Sequence, residues 1–95
     1  MIINATIQVV PLIEAGKAYP VIDKAIELIQ KSGLRYSVGG FETFIEGPYE
    51  EVQTLLRSVE DFCYQQGEAA FLIYSKMHLC GSRDIYEESK TGKFK

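Results

Sequence analysis

Hydrophobic and polar residues alternate from Ile2 to Pro11, a period of two that predicts a β-strand. The apolar side chains point to one side of this strand and the polar ones to the other: Ile3, Ala5, Ile7 and Val9 against Asn4, Thr6 and Gln8. Pro11 ends the strand because it has no N–H to donate to a ladder. We therefore expect the apolar side to pack on helices and the polar side to lie on the opposite face of a sheet.

Two later stretches have the period of an amphipathic helix. The first runs from about Ala18 to Ser32, with Pro20 in its first turn and Gly33 at its C-cap, after a loop over residues 12–17. The second runs from about Tyr49 to Gln66 and carries the longest helical stripe in the chain. The apolar residues of that stripe are Val52, Leu55, Leu56, Val59, Phe62 and Cys63.

Between the two helices, residues 34–48 predict a β-hairpin that turns at Gly39-Gly40, where glycine tolerates the positive φ of a tight turn. Pro48 suits the first position of the second helix. A fourth strand follows from Ala69 to Leu79. The resulting βαββαβ order predicts an α+β ferredoxin-like fold, with a four-stranded antiparallel sheet and two helices on one face.

Length and composition favour one globular domain over residues 1–95, with residues 80–95 as a short tail that holds one helical turn. Hydrophobic residues make up 46% of the chain and charged residues 24%. No apolar run reaches the roughly 20 residues that a membrane helix needs. The first twelve residues lack the features of a signal peptide, so we expect a cytoplasmic protein without membrane contact.

The charge balance argues against nucleic acid as a partner. Residues 1–75 carry five basic and ten acidic side chains, whereas nucleic-acid binding depends on neutralising phosphates. An RNA-recognition module would also need basic residues beside the aromatics of its third strand. The stretch GFETFIEG, residues 40–47, has two glutamates and no basic residue.

Motifs for catalysis or metal binding are missing from the sequence. Cys63 and Cys80 have the wrong spacing for a metal site, and His78 is the only histidine, so we expect two unlinked thiols and no bound metal. Acyl-phosphate hydrolysis on this fold would need an arginine in the loop after the first strand, and LIEAGKAY has none. A cofactor-free enzyme of related architecture has no sharp motif and stays open as the third alternative.

The sheet face that the helices leave uncovered would be half apolar, because Tyr, Phe and Leu alternate there with Ser, Thr and Gln. A surface of this kind usually meets another sheet. We therefore expect a homodimer or homotetramer formed through this open face.

Three pieces of the sequence resemble the thiamine-binding (YkoF-like) family of small ferredoxin-like proteins. They are the opening strand ATIQVVPL at residues 5–12, the third strand GFETFIEG at residues 40–47, and the following helix with Val52 and its apolar stripe. The resemblance covers roughly residues 3–75 in the same element order. Residues 75–84, SKMHLCGSRD, look closer to the relatives that bind thiamine or its hydroxymethylpyrimidine part than to the uncharacterised ones.

The resemblance implies a ligand with an aminopyrimidine edge and a cationic thiazolium. Gln8 and Thr43 would supply neutral hydrogen-bonding groups on paired strands, near enough for one small ring to touch both. Glu46 would accept from the exocyclic amine or neutralise the cation, although it could instead cap the second helix. Tyr36 would stack on a ring, and His78 would be a further ligand contact.

From these features we expect a non-catalytic protein that binds thiamine or hydroxymethylpyrimidine, serving transport, storage or regulation, with no cofactor. The alternative is an oligomeric interaction or regulatory module without a small-molecule ligand. In that case Gln8 would be an interface residue and the aromatics would belong to the core or the interface.

Overall fold

The computed structural model describes residues 1–94. Its elements, in chain order, are β1 (Ile2–Pro11), α1 (Ala15–Lys31), β2 (Arg35–Val38), β3 (Thr43–Pro48), α2 (Tyr49–Tyr64), β4 (Phe71–His78) and α3 (Glu87–Thr91), followed by a 3₁₀ turn at Gly92–Phe94. None of the helices within residues 1–94 has the length and apolar character needed to cross a membrane.

The four strands form one sheet in the order β2-β3-β1-β4, and every neighbouring pair is antiparallel. β1 is therefore a central strand with a partner on each edge. Ile7 lies opposite Thr43 of β3, and Asn4 lies between Glu46 of β3 and His78 of β4. This topology confirms the predicted ferredoxin-like α+β fold.

The core lies between one face of the sheet and the two helices. Ile3, Ala5 and Ile7 of β1 pack there with Ile45, as the alternation in the sequence predicts. Each fully buried aliphatic side chain of this kind contributes about 1.5–3 kcal/mol relative to exposure. The apolar stripe of α2 supplies the largest share of the core from one helix: Val52, Leu55, Leu56, Val59 and Cys63 are all buried.

α1 begins earlier than the sequence predicts. It starts at Ala15, so the predicted loop over residues 12–17 is wrong in its second half. The N–H groups of Lys17 and Ala18 both donate to the carbonyl of Glu14, at 2.9 and 3.0 Å, which starts the first turn ahead of Pro20. Pro20 consequently lies inside the helix, on its exposed side, where it removes one backbone hydrogen bond.

The predicted tight turn at Gly39-Gly40 is also wrong. Residues 39–42 form a four-residue loop between β2 and β3, and neither glycine has a positive φ. The N–H of Gly39 donates to the carbonyl of Glu42 at 3.0 Å. Glycine is needed there because a Cβ would lie 2.8 Å from that same oxygen. Pro48 precedes α2 as its N-cap residue, one position before the predicted place.

The C-terminal segment, residues 84–94, packs on the sheet face opposite α1 and α2, which we call the open face. Ile85 is only 3% exposed, and its N–H donates to the carbonyl of Ile2 at 2.9 Å. The N–H of Ile2 in turn donates to Oδ1 of Asp84 at 2.8 Å. The face that the helices leave uncovered is therefore not wholly bare, because this segment covers the part of it around Asn4.

Candidate functional site

The sheet divides the five predicted ligand contacts between its two faces. Thr43 lies opposite Ile7 and Tyr36 lies opposite Ile45, so both side chains project toward the helices. Gln8, Glu46 and His78 occupy the alternate positions and project from the open face. A ring on one face cannot contact the side chains of both Gln8 and Thr43, so the structure does not bring these two groups together. Their roles in ligand binding stay predictions.

A groove of about 480 Å³ lies on the helix side, between α1, the end of β1 and the loop over residues 39–42. We call it the hairpin groove. Its floor includes Thr43, which is 6% exposed, and its rim carries the largely exposed rings of Tyr19 and Phe41. Most of the remaining lining is aliphatic: Ile7, Val9, Ile22, Ile26, Ile29 and Val38. Tyr36 is not part of this lining.

Thr43 is the predicted contact best placed to meet a ligand in the hairpin groove. Its hydroxyl makes no side-chain hydrogen bond within residues 1–94, so one donor and two acceptor positions are left for a bound molecule. Gln8 also lines the groove, through the β1 backbone, since the alternation of the strand directs its side chain to the open face. The groove therefore offers aliphatic walls, aromatic rings at its rim, and the hydroxyls of Thr43 and Tyr19.

The carboxylate of Glu46 is 7% exposed and accepts hydrogen bonds from three groups within the protein. Its Oε1 accepts from Nδ2 of Asn4 at 3.0 Å and from the backbone N–H of Glu87 at 2.7 Å. Its Oε2 accepts from the Arg35 guanidinium at 2.7 Å, and the same guanidinium reaches Glu87 Oε1 at 2.9 Å. Glu46 makes no cap for α2, so that alternative is wrong. The carboxylate instead holds the C-terminal segment to the sheet.

The surroundings of Glu46 keep it ionised. Burial raises the pKa of this carboxyl, but the Glu87 N–H, the Arg35 guanidinium and the Asn4 amide lower it by more. The net result is a pKa below the ordinary value for glutamate. Asn4, Arg35 and Glu87 complete this cluster, and none of them was among the predicted site residues.

His78 lies at the edge of the C-terminal segment, where its Nδ1 is 2.9 Å from Nζ of Lys90. An ammonium group only donates, so Nδ1 is the acceptor and the ring proton of the neutral imidazole lies on Nε2. The pairing of β4 with β1 places His78 opposite Asn4 on the open face, away from the hairpin groove.

The two thiols lie in different environments. Cys63 is buried in the core, and burial raises the pKa of its thiol. Cys80 is a free thiol whose pKa is lowered by hydrogen bonds from the side chain and backbone of Ser82. Within residues 1–94 no three His, Cys, Asp or Glu side chains lie together in a way that would hold a metal ion.

These features define a class of small ferredoxin-like proteins with an apolar groove beside the β2–β3 hairpin. The chain belongs to the thiamine-binding protein family, whose model matches residues 5–93. It is 26% identical over 92 residues to a UPF0045 protein of Clostridium perfringens, an alignment that covers 97% of this chain and 96% of that protein.

Two solved structures resemble this one closely. A domain of unknown function, DUF77, from Bacillus cereus is 30% identical with a TM-score of 0.88, covering 100% of this chain and 91% of that one. A Thermotoga maritima protein, proposed to act in thiamine biosynthesis or salvage, is 29% identical with a TM-score of 0.87, and both chains are covered completely.

Proposed function

We propose that this protein binds thiamine, or its hydroxymethylpyrimidine part, in the hairpin groove without altering it chemically. The observation that carries the proposal is the uncommitted hydroxyl of Thr43 on the floor of a groove whose side-chain lining is mostly aliphatic, in a member of the thiamine-binding family. Small-molecule sites typically combine apolar walls with a few placed polar groups. A pyrimidine ring would lie against the aliphatic wall, with its polar edge directed at Thr43.

Aromatic side chains and overall charge also favour this class of ligand. Tyr19 and Phe41 stand at the rim, 69% and 87% exposed, where they could close over a bound ring. A cation over such a ring gains about 0.5–2 kcal/mol, which suits the thiazolium. The net charge of −3 attracts rather than repels a cationic ligand.

The same groove supports binding better than catalysis. A threonine nucleophile needs a base within hydrogen-bond reach, and within residues 1–94 no side chain bonds to the hydroxyl of Thr43. The protein would then serve transport, storage or regulation of thiamine or its precursor.

A second candidate is an interaction module that has no small-molecule ligand. It is favoured by the part of the open face that the C-terminal segment leaves bare, where Leu72 is 45% and Tyr74 is 55% exposed. In this case the groove would be an incidental feature of helix packing.

Isothermal titration calorimetry separates the two candidates. The protein would be titrated with thiamine, hydroxymethylpyrimidine, thiamine phosphates and, as a control compound, the isolated thiazole alcohol. Saturable heat with thiamine and hydroxymethylpyrimidine, and none with the thiazole, supports recognition through the pyrimidine. Absence of heat with every pyrimidine compound would exclude the proposed function and favour the interaction module.

A further inference from the structure

The C-terminal segment takes over one edge of β1 where β4 has ended. β4 ends at His78, and the backbone of Ile2 bonds instead to the segment: its N–H donates to Oδ1 of Asp84 at 2.8 Å, and its carbonyl accepts from the N–H of Ile85 at 2.9 Å. Residues 79–83, which join β4 to the segment, are mostly exposed and belong to no helix or strand. The segment is therefore a separate unit, docked on the sheet at the end of its own linker.

One apolar side chain anchors the segment. Ile85 is 3% exposed, and among residues 84–94 no other side chain is fully buried. Beyond Ile85 the packing is loose, since a cavity of about 230 Å³ lies between Lys90 and the sheet residues Asn4 and Phe44. Ordering the segment costs conformational entropy at every residue, whereas burial stabilises it at one. Ile85 alone therefore does not hold the segment in place.

Charged groups supply the rest of the attachment. Glu46 Oε1 accepts from the backbone N–H of Glu87 at 2.7 Å, and the guanidinium of Arg35 reaches both carboxylates, at 2.7 and 2.9 Å. Lys90 adds a 2.9 Å contact with Nδ1 of His78. The side chain of Arg35 is 49% exposed, so water and salt compete for these contacts. Because all of them position the same short segment, losing one weakens the others.

We propose that the C-terminal segment is a regulatory strap, which opens and closes as one unit while the sheet and the two long helices stay folded. Ile85 lies outside the hydrophobic cluster that the sheet shares with α1 and α2, so opening leaves that cluster intact. Sub-global opening of this kind occurs where few buried apolar contacts are lost. In the open state Asn4, Glu46 and His78 are uncovered. The segment thus decides whether a second copy of the chain can cover this end of the open face.

Native-state hydrogen exchange of the full chain, followed by NMR, tests the proposal. The N–H groups of Ile2, Ile85 and Glu87 each donate across the boundary between sheet and segment, so their exchange reports its opening. Ile2 is the most informative of the three, because it belongs to β1 and yet donates to the segment. We expect the three amides to share one opening equilibrium, with protection factors at least about a hundredfold lower than those of the paired amides in the centre of β1 and β3. Protection equal to that of the sheet centre would overturn the proposal, and so would the absence of any protection.

Three variants test whether the opening is concerted. Arg35→Gln removes the guanidinium shared by two carboxylates and should lower the protection of all three amides together, by about tenfold. Arg57→Gln, which breaks an exposed 3.6 Å ion pair with Asp61 on α2, is the matched control and should leave them unchanged. Ile85→Ala removes the apolar anchor and should lower their protection further. Loss of protection at Glu87 alone in Arg35→Gln would show that the contacts open independently, and would overturn the concerted strap.

Discussion

The backbone N–H of Glu87 donates a 2.7 Å hydrogen bond to Oε1 of Glu46, joining residues 41 positions apart. With Asn4 and Arg35 as further donors, one carboxylate connects β1, β2, β3 and the C-terminal segment. A hydrogen bond to a charged group is worth more than one between neutral groups, about 1.5–3 kcal/mol. This cluster therefore determines how firmly the C-terminal segment stays on the sheet.

Glu46→Gln should lower the free energy of unfolding by about 2 kcal/mol, because a neutral amide presents one acceptor oxygen where the carboxylate has two, and its NH₂ faces other donors. Urea denaturation at neutral pH measures the change. Glu42→Gln removes a half-exposed carboxylate that pairs with Lys76 and should change stability by less than about 1 kcal/mol. Equal losses in the free energy of unfolding for the two substitutions would show that the Glu46 cluster stabilises the protein no more than an exposed ion pair does.

Acid should destabilise the protein through the same carboxylate. The pKa of Glu46 is lower in the folded protein than its ordinary value of 4.5, so its stabilisation is complete above that value. The stabilisation is lost as the pH falls through the lower pKa of the folded state. Urea midpoints measured at a series of acidic pH values should fall more steeply for the parent protein than for Glu46→Gln. Parallel curves would contradict the prediction.

Thr43→Val should weaken thiamine binding by about ten- to a hundredfold, because the ligand loses a directed hydrogen bond and one of its polar atoms stays buried. The substitution preserves shape and β-propensity, so the fold should not change. Thr54→Val, on the exposed surface of α2, is the matched control. Unchanged affinity in Thr43→Val, with thiamine still bound, would place the ligand outside the hairpin groove.

Self-association should occur through the bare part of the open face. Val10 lies opposite Leu72 and Gln8 opposite Tyr74, beyond the reach of the C-terminal segment. Burying these apolar side chains against a second copy would stabilise a dimer or tetramer. Sedimentation velocity should show the oligomer at micromolar concentration, and Leu72→Glu should dissociate it. The control is Tyr64→Glu: Tyr64 lies on α2, away from this face, and is 90% exposed, so its substitution should not change the oligomeric state. A monomeric parent protein would refute the idea.

The elements that bury one face were predictable from the sequence. The bounds of β1 and the apolar stripe of α2 match the structure because a shift of either pattern would expose apolar side chains. The start of α1 was missed because Pro20 suggested a first turn, whereas the helix tolerates this proline one turn later on its exposed side.

The polar cluster around Glu46 could not be predicted because it depends on the register of the β2–β3 hairpin. A two-residue turn at Gly39-Gly40 would place Arg35 opposite Phe44, but the observed four-residue loop places it opposite Glu46. The contacts of Asn4 lie further beyond sequence reasoning, since they join residues up to 81 positions apart. Likewise, no local sequence pattern determines the register between β1 and β3. That register places Thr43 opposite Ile7 and so directs the side chains of Gln8 and Thr43 to opposite faces of the sheet.

The central position of β1 has a consequence for how the chain folds. All the partners of β1 come later in the chain. Ile7 pairs with Thr43, Asn4 pairs with His78, and the carbonyl of Ile2 accepts from the N–H of Ile85. Contacts between such distant residues carry a large loop-closure cost, so the sheet should assemble slowly for a domain of this size. During synthesis one edge of β1 stays unpaired until β3 has emerged, and the other stays unpaired until β4 has emerged. It is therefore the stretch most prone to aggregate in the nascent chain, and the one on which a chaperone would act first.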